Sequence, residues 1–572
     1  MISRRTFLKT SLMGCLGLLA LSGSGCKLTN FFKNPRLNNQ NLANINNIDR
    51  NDYNSWARLS CGPDTWYWRR ENAFYFTQAH SKDSFSAWPL SDKVTYTDVA
   101  IIGTGPAGLV CANHLLDLGV DDIILLDSCN MPGGSAKSFD SCQGRSYSGY
   151  LSQNVPWAAG RLSLPDDNDE NLLNFLQAQK IIEKFDTAGK AQYASETLAF
   201  YPQERLLNAG RWVFGNYDST DFPQQNTKNE RLFADNFDNF LEHMEHKRGR
   251  DGKLYFTAPE SLVSVEAKAL KQLTLKEYLQ QKHLLAKNVE QFINRIVCSE
   301  SGLTVSQISA WAGMYQLCRD KIRLTKPQRL FLTWEKGCAR LLEPLYNNLR
   351  PFIKTSTHIA SWQENNQNGE LLCLNLKERR RERLIAKEVV FASSAANLAK
   401  LLNLQLKDQL TFWNAIAFQT KLEPLTYNQK FLNAPPSFIS RLSNHPSTIY
   451  ADSRCQRDSS LPHQHTILLR RCPEKLEPNH LADYFTQINT ETAPFIDNFT
   501  EQSHEFWAGN FGPFKAALPD NPVNLNPTEA ARRFRRLHLA LTDNCTCPNF
   551  AQSFNNGWQA AEKVNSSLRR QP

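Results

Sequence analysis

Apolar and polar positions change period along this chain, and the changes mark its parts. Val99–Ile102 is an unbroken apolar run, the pattern of a strand buried on both faces. A helical pattern follows, with Leu109, Ala112, Leu115 and Leu116 on one face and Gly119 at its end. Ile123–Leu126 is a second strand-length apolar run. The middle of the chain is mainly helical in pattern, at Leu172–Lys184, Arg231–Lys247, Leu273–Tyr278, Val289–Cys298 and Ser309–Cys318. From Phe352 strands return, at His358–Trp362, Leu371–Leu376 and Val389–Ala392. The charged run Lys377–Arg383 between the last two is expected as a solvated hairpin tip. Further strands are expected within Asn414–Leu425 and Ser447–Arg471. Arg536–Leu541 reads as one more strand, Thr542-Asp543 as a turn and Ser553–Val564 as a closing helix.

The first strand and helix are joined by Gly103-x-Gly105-Pro106-Ala107-Gly108. Glycine at the first position allows a tight turn, at the second a close approach of pyrophosphate, and at the third close packing of helix on strand. Free N–H groups at the helix start bind an anion without a charged side chain. Asp127, followed by Ser128, ends the second strand about 20 residues after Gly108, the place of an acid that holds a ribose diol. Strand, turn, helix, strand and acid arrive in the required order, which favours a dinucleotide site over a bland glycine turn. Pro132-Gly133-Gly134 adds a second close backbone approach just beyond the acid.

With that addition, Asp98–Ser135 resembles the FAD-binding motif of the flavin-containing amine oxidase, phytoene desaturase and protoporphyrinogen oxidase superfamily. The C-terminal segment is similar to the same superfamily's second flavin motif, a strand ending in an acid and then a helix of pattern S-G-x-x-A-A. Here these are Thr542-Asp543 and Asn556-Gly557-Trp-Gln-Ala-Ala561. The resemblance implies that Asp543 approaches the ribityl or pyrophosphate region. It also implies that the helix carrying Asn556 and Gly557 turns its N-terminus to the flavin's pyrimidine edge. It places backbone contacts to adenine at His358 and Ile359. Lys421 is its candidate for a lysine that holds a water to flavin N5, with a surface lysine at a strand edge as the alternative. Pro156-Trp157, the hairpin Pro202–Leu206 with Gly210–Trp212, and Ser309–Tyr315 are similar to an exported subgroup of these proteins. Leu332-Thr-Trp-Glu335 with Gly337 resembles the superfamily's W-P-E-G-N turn, with Lys336 inserted and Cys338 in place of Asn.

The fold class so implied is α/β, a discontinuous Rossmann-like FAD-binding domain with an inserted α+β substrate domain. The FAD-binding parts are residues 95–161, 351–402 and 525–567; the substrate domain is 162–350, mainly helical, and 403–524. A length of 572 residues accommodates two such domains. The composition is 41% hydrophobic and 21% charged, that of a globular protein rather than a disordered or integral membrane one. The net charge of +9 is spread without a sustained basic stripe and gives nucleic-acid binding no support.

No C-x-x-C pair occurs among the 14 cysteines, and several, including Cys111, Cys318 and Cys373, fall in core-like segments. Buried reduced thiols are expected of them, while Cys545-x-Cys547 is left open. His243 and His246 lie among Glu242, Glu245, Lys247 and Arg248, so a solvated helix face is expected and no metal.

At the other end, Ser3-Arg4-Arg5-Thr6-Phe7-Leu8-Lys9 before the apolar run Ser11–Leu21 looks like a twin-arginine export signal. Cys26, after Leu21-Ser-Gly-Ser-Gly25, is a candidate lipidation site; Cys15, after Leu12-Met-Gly, is the alternative, as is cleavage after Ser22 without lipid. The asparagine-rich Asn30–Asn54 then reads as a flexible tether, within a segment 27–94 that precedes the folded body. These features imply the twin-arginine export machinery as a partner, a lipid anchor at the membrane and a place in the periplasm or cell envelope.

The resemblance implies an exported FAD-dependent oxidoreductase. A hydride would pass to flavin N5 from a small organic substrate, an amine or related compound, with oxygen, a quinone or a periplasmic carrier as electron acceptor. The alternative is a degenerate flavoprotein fold serving as a membrane-tethered binding or assembly factor. An NAD-dependent dehydrogenase fits the first motif but leaves Gly133-Gly134 and the C-terminal helix unexplained.

Overall fold

A computed structural model describes residues 67–68, 86–129, 131–139, 155–156, 159–198, 204–208, 211–214, 228–257, 262–301, 303–325, 331–334, 337–365, 367–393, 397–398, 401–402, 411–421, 439–442, 445–452, 465–472, 504–514, 534–541 and 549–570. The leader with Cys15 and Cys26, Trp157, Asp543 and the Cys545-x-Cys547 pair lie outside them.

Seven strands form the sheet that organises the described chain. The long β1 (Leu90–Ile102) runs into a helix α1 (Pro106–Asp117) and the short β2 (Ile123–Leu126). After a long excursion come β3 (Ile353–Lys354), β4 (Thr357–Glu364), β5 (Gly369–Asn375) and β6 (Arg380–Phe391). The last strand is β7 (Leu537–Leu539). The order is β3-β2-β1-β6, all parallel, and β6 then has two neighbours on its far edge. Its first half pairs with the antiparallel meander β5-β4, and its last three residues pair in parallel with β7.

Both faces of this sheet are covered, which is why β1 ends in an unbroken apolar run. Val99 and Ile101 pack toward α1 and three further helices, α2 (Glu170–Ala178), α3 (Ala339–Leu349) and α4 (Phe550–Leu568). Ala100 and Ile102 pack on the opposite face with Ile359, Leu371, Leu384 and Leu398.

A second, eight-stranded sheet joins distant parts of the chain. Its order is Tyr67–Trp68, His504–Phe514, Thr411–Lys421, His465–Cys472, His445–Asp452, Ile439–Leu442, Glu204–Asn208 and Arg211–Phe214. Helices Lys228–Glu245, Leu275–Gln281, Lys287–Ser301 and Ala310–Arg319 build a separate core around Phe237, Phe292, Trp311 and Tyr315. The architecture is α/β, with a Rossmann-like sheet and an inserted α+β part.

Three expectations need correction. The helix expected over Leu172–Lys184 stops at Ala178, Lys180 takes a positive φ of 59°, and Ile182–Phe185 is a strand paired with Ala191–Tyr193. Ile181 and Ile182 are buried there, and an apolar pair suits either period. The charged run is not all hairpin tip: β6 begins at Arg380, and only the residues before it turn. Arg380 pairs with Glu378 and Glu382, and Arg383 with Glu370, so the run is mostly an ion-paired strand face. The closing helix starts at Phe550 rather than Ser553, because Asn549 caps it by accepting the Gln552 N–H at 2.9 Å.

Candidate functional site

The parallel strands end at one level. The Gly103 N–H donates to the Leu126 carbonyl at 2.8 Å, Ala392 to Ile102 at 2.8 Å and Ala540 to Phe391 at 2.9 Å. A crevice beyond the carboxyl ends of parallel strands is where open α/β sheets bind ligands. Gly103, with φ of 106°, turns the chain there; a Cβ on it would lie 2.5 Å from the Ala392 carbonyl oxygen. At Gly108 a Cβ would lie 1.9 Å from the Gly103 oxygen, so this glycine serves packing.

Gly105 differs from both. Its backbone is extended, and the nearest atom to a Cβ would be the Gly134 Cα, 3.9 Å away. No side chain caps α1, its first turn holds no acid, and Pro106 opens it. The N–H groups of that turn and the positive end of the helix dipole are therefore met by no capping side chain. The second glycine pair closes the other side: the Gly133 N–H donates to the Thr104 carbonyl at 2.8 Å, and a Cβ on Gly134 would come within 3.0 Å of the Gly105 Cα.

Asp127 holds this turn together. One carboxylate oxygen accepts the Thr104 N–H at 2.9 Å and the Thr104 hydroxyl; the other accepts the Cys129 N–H at 2.8 Å. A carboxylate has about four acceptor positions, so roughly one stays open for a ligand hydroxyl. The backbone after β3 is sewn to the same loop. Thr357 donates to the Asp127 carbonyl at 2.7 Å, Ser356 to Cys129 at 2.8 Å, and Ser128 Oγ lies 3.1 Å from His358 Nδ1. Ile359 instead packs into the core on the sheet's other face. The sequence reading missed Thr104 and Ser356, although Thr104 stands between two motif glycines.

The C-terminal helix meets the glycine turn directly. A Cβ on Gly557 would lie 2.2 Å from the Ala107 carbonyl oxygen, and Asn556 Nδ2 donates to the Leu541 carbonyl at 2.8 Å. Further along, His114 of α1 stacks on Trp558 at 3.6 Å and bonds Glu562 at 2.9 Å. On the other flank, Asn555 Nδ2 donates to Asp169 at 2.8 Å, and Asp169 caps α2 by accepting the Leu172 N–H. Burial pushes the Asp169 carboxyl up to about 7, against the lowering effect of those two bonds. Behind the helix, the fully buried Glu388 of β6 accepts from Arg536 at 2.8 Å, His538 at 2.7 Å and Ser567 at 2.8 Å. Burial alone would raise its pKa; those bonds outweigh burial and hold it below the ordinary value.

The remaining candidates fall away from the turn. Arg161–Ser163 pairs with Phe331–Thr333, and Cys338 donates its N–H to the Ala159 carbonyl at 2.8 Å and its thiol to Arg161 at 3.3 Å. The Ser309–Tyr315 motif is core: Ser309 caps its helix, Trp311 is buried, and a Cβ on Gly313 would strike Leu275 at 2.5 Å. Lys421 ends its strand opposite His465. Among the described residues no His, Cys, Asp and Glu cluster has metal-site geometry, and no helix is long and apolar enough to cross a membrane.

The family model of an NAD(P)-binding Rossmann-like domain matches residues 101–177. Among solved structures, cyclohexylamine oxidase from Brevibacterium oxydans IH-35A superposes with a TM-score of 0.55 at 13% identity, over 83% of this chain and 100% of that one. Wild-type putrescine oxidase bound to putrescine gives 0.52 at 12%, over 84% and 100%. A putative protoporphyrinogen oxidase from Exiguobacterium sp. 255-15 gives 0.52 at 14%, over 84% and 100%. No curated protein matches the chain in sequence. At these identities the likeness is one of fold.

Proposed function

We propose that this chain, with the fold of amine oxidases and of a protoporphyrinogen oxidase, is an exported FAD-dependent oxidoreductase of the amine-oxidase kind. The observation that carries the reading is the facing pair Gly105 and Gly134 at the uncapped start of α1. Two backbones bare of side chains, beside helix-start N–H groups that no side chain caps, suit a pyrophosphate, which only accepts hydrogen bonds. Asp127 supplies the acceptor that a ribose hydroxyl needs. An NAD site has no need of the second glycine pair, nor of a C-terminal helix pressed onto Ala107.

When bound, FAD supplies the acceptor for a hydride from a substrate C–H, next to nitrogen or in an allylic position. The chain's own residues bind and orient. Thr104 fixes the Asp127 carboxylate, Ser356 and Thr357 fix its loop, and α4 directs its positive end beyond α1. The helical core around Trp311 and the eight-stranded sheet are the parts from which a substrate cavity would be built. The electron acceptor is oxygen, a quinone or a periplasmic carrier. The leader resembles a signal for the twin-arginine route, which carries folded proteins, and so suits a protein loaded with cofactor before export; lipidation at Cys26, or at Cys15, would then anchor it.

A second reading, a membrane-tethered flavoprotein without catalysis, draws on one observation. Cys338, where the superfamily's turn has Asn, is fully buried, its thiol pushed up to about 12 by burial and bonded to Arg161. Mixing the purified protein anaerobically with primary and secondary amines separates the two. Bleaching of the flavin bands supports the oxidase. Bound flavin that no amine or allylic substrate reduces supports the binding protein.

A further inference from the structure

Asp127 stands just past β2, half-buried, and its carboxylate is claimed from two sides. Oδ2 accepts the Thr104 N–H at 2.9 Å and the Thr104 hydroxyl, and Oδ1 accepts the Cys129 N–H at 2.8 Å. An ionised carboxylate has no proton to give, so the Thr104 hydroxyl is the donor in that contact. Each carboxylate oxygen has about two lone-pair positions, so both on Oδ2 are filled and about one stays open on Oδ1.

Both donors are held in place by further bonds. Thr104 is fully buried, and its carbonyl accepts the Gly133 N–H at 2.8 Å. The Cys129 carbonyl accepts the Ser356 N–H at 2.8 Å. Asp127 is itself pinned at the backbone: its N–H donates to the Lys354 carbonyl at 3.0 Å, and its carbonyl accepts the Thr357 N–H at 2.7 Å. The neighbouring hydroxyl, Ser128 Oγ, lies 3.1 Å from His358 Nδ1. A vicinal diol bound by one carboxylate needs an open position on each oxygen. Here only Oδ1 has one.

We propose that Thr104 is a positioning residue that sets the specificity of the nucleotide site: its hydroxyl fills Oδ2, so that Asp127 holds one hydroxyl of the adenosine ribose and not the pair. The inference rests on the FAD reading above and deepens it. A ribose lacking the other hydroxyl should be bound as well as the complete one.

The test titrates FAD and two analogues, lacking the adenosine 2′- or 3′-hydroxyl, into the cofactor-free full-length protein and reads flavin fluorescence. For wild type, one analogue should bind about tenfold or more weaker than FAD, the loss of a hydrogen bond to a charged group, and the other within about twofold of it. Equal weakening of both overturns the proposal, as does no weakening of either. Thr104→Ser keeps the donor and should keep the ratio between the two analogues. Thr104→Ala opens the second position on Oδ2, and the ratio should fall toward one as both hydroxyls come to be held. A Thr104→Ala protein that binds FAD and both analogues more weakly by one common factor has lost structure alone, and an unchanged ratio of that kind overturns the role of Thr104. Should Thr104→Ala not fold, wild type and Thr104→Ser decide, and a ratio near one in either overturns the proposal. If wild type takes up no FAD at all, the parent reading falls and this one with it. If wild type takes up FAD and both analogues alike, only this inference falls.

Discussion

Gly105→Ala separates binding from folding at the glycine turn. The backbone at Gly105 has φ of −69°, open to any residue, and the added Cβ would meet nothing nearer than the Gly134 Cα at 3.9 Å. The cofactor-free protein should therefore keep its stability within about 0.5 kcal/mol, with a small gain open to it because alanine has fewer unfolded conformations to lose. The methyl fills the space where pyrophosphate would approach. Losing two hydrogen bonds to a charged group, at about 1.5–3 kcal/mol each, weakens binding by roughly 10²–10⁴-fold. Gly108→Ala is the control: its Cβ would lie 1.9 Å from the Gly103 oxygen, and the helix has to move off the strand. That variant should melt well below wild type before any cofactor is added. Thermal melts of the cofactor-free proteins and FAD titrations read both effects. The reasoning is refuted if Gly105→Ala binds FAD as wild type does, or destabilises the cofactor-free protein as much as Gly108→Ala.

Further expectations concern the supports of the turn. Glu388→Gln removes the carboxylate that Arg536 and His538 contact and should cost about 3–5 kcal/mol at pH 7 in a urea titration. Because the Glu388 carboxyl is held below its ordinary 4.5, its contribution is present above that value and is lost as pH falls through the lower folded one. Wild type should thus lose its advantage over the variant in acid, and a gap independent of pH would contradict this. Asp169 has the opposite sign: its carboxyl titrates at about 7 rather than 3.8, so unfolding releases its proton and stability falls as pH rises between those values. Asp169→Asn should gain on wild type from pH 5 to pH 8 in thermal melts; parallel curves would count against the assignment. Gly557→Val places a side chain 2.2 Å from the Ala107 oxygen, and should lower both the melting temperature and FAD uptake.

What could be read from the sequence was local. The turn from Val99 to Asp127 was legible because strand, glycines, helix and acid are contiguous, and each has one physical role. The C-terminal helix was legible by its Asn556-Gly557 pattern, but its true start was not, since the Asn549 cap looks like any loop asparagine. The Ser356–His358 contacts were shifted toward Ile359 because nothing local marks where a strand first touches another loop. Glu388 with Arg536, His538 and Ser567 joins three distant parts of the chain, and no spacing rule links them. The hold of Thr104 on Asp127 appears only once the two loops are packed.

The most direct measurement is an absorbance spectrum of the purified protein before and after acid precipitation. The expected result is flavin bands that move into the supernatant and identify there as FAD. A colourless protein that also fails to take up added FAD would contradict it.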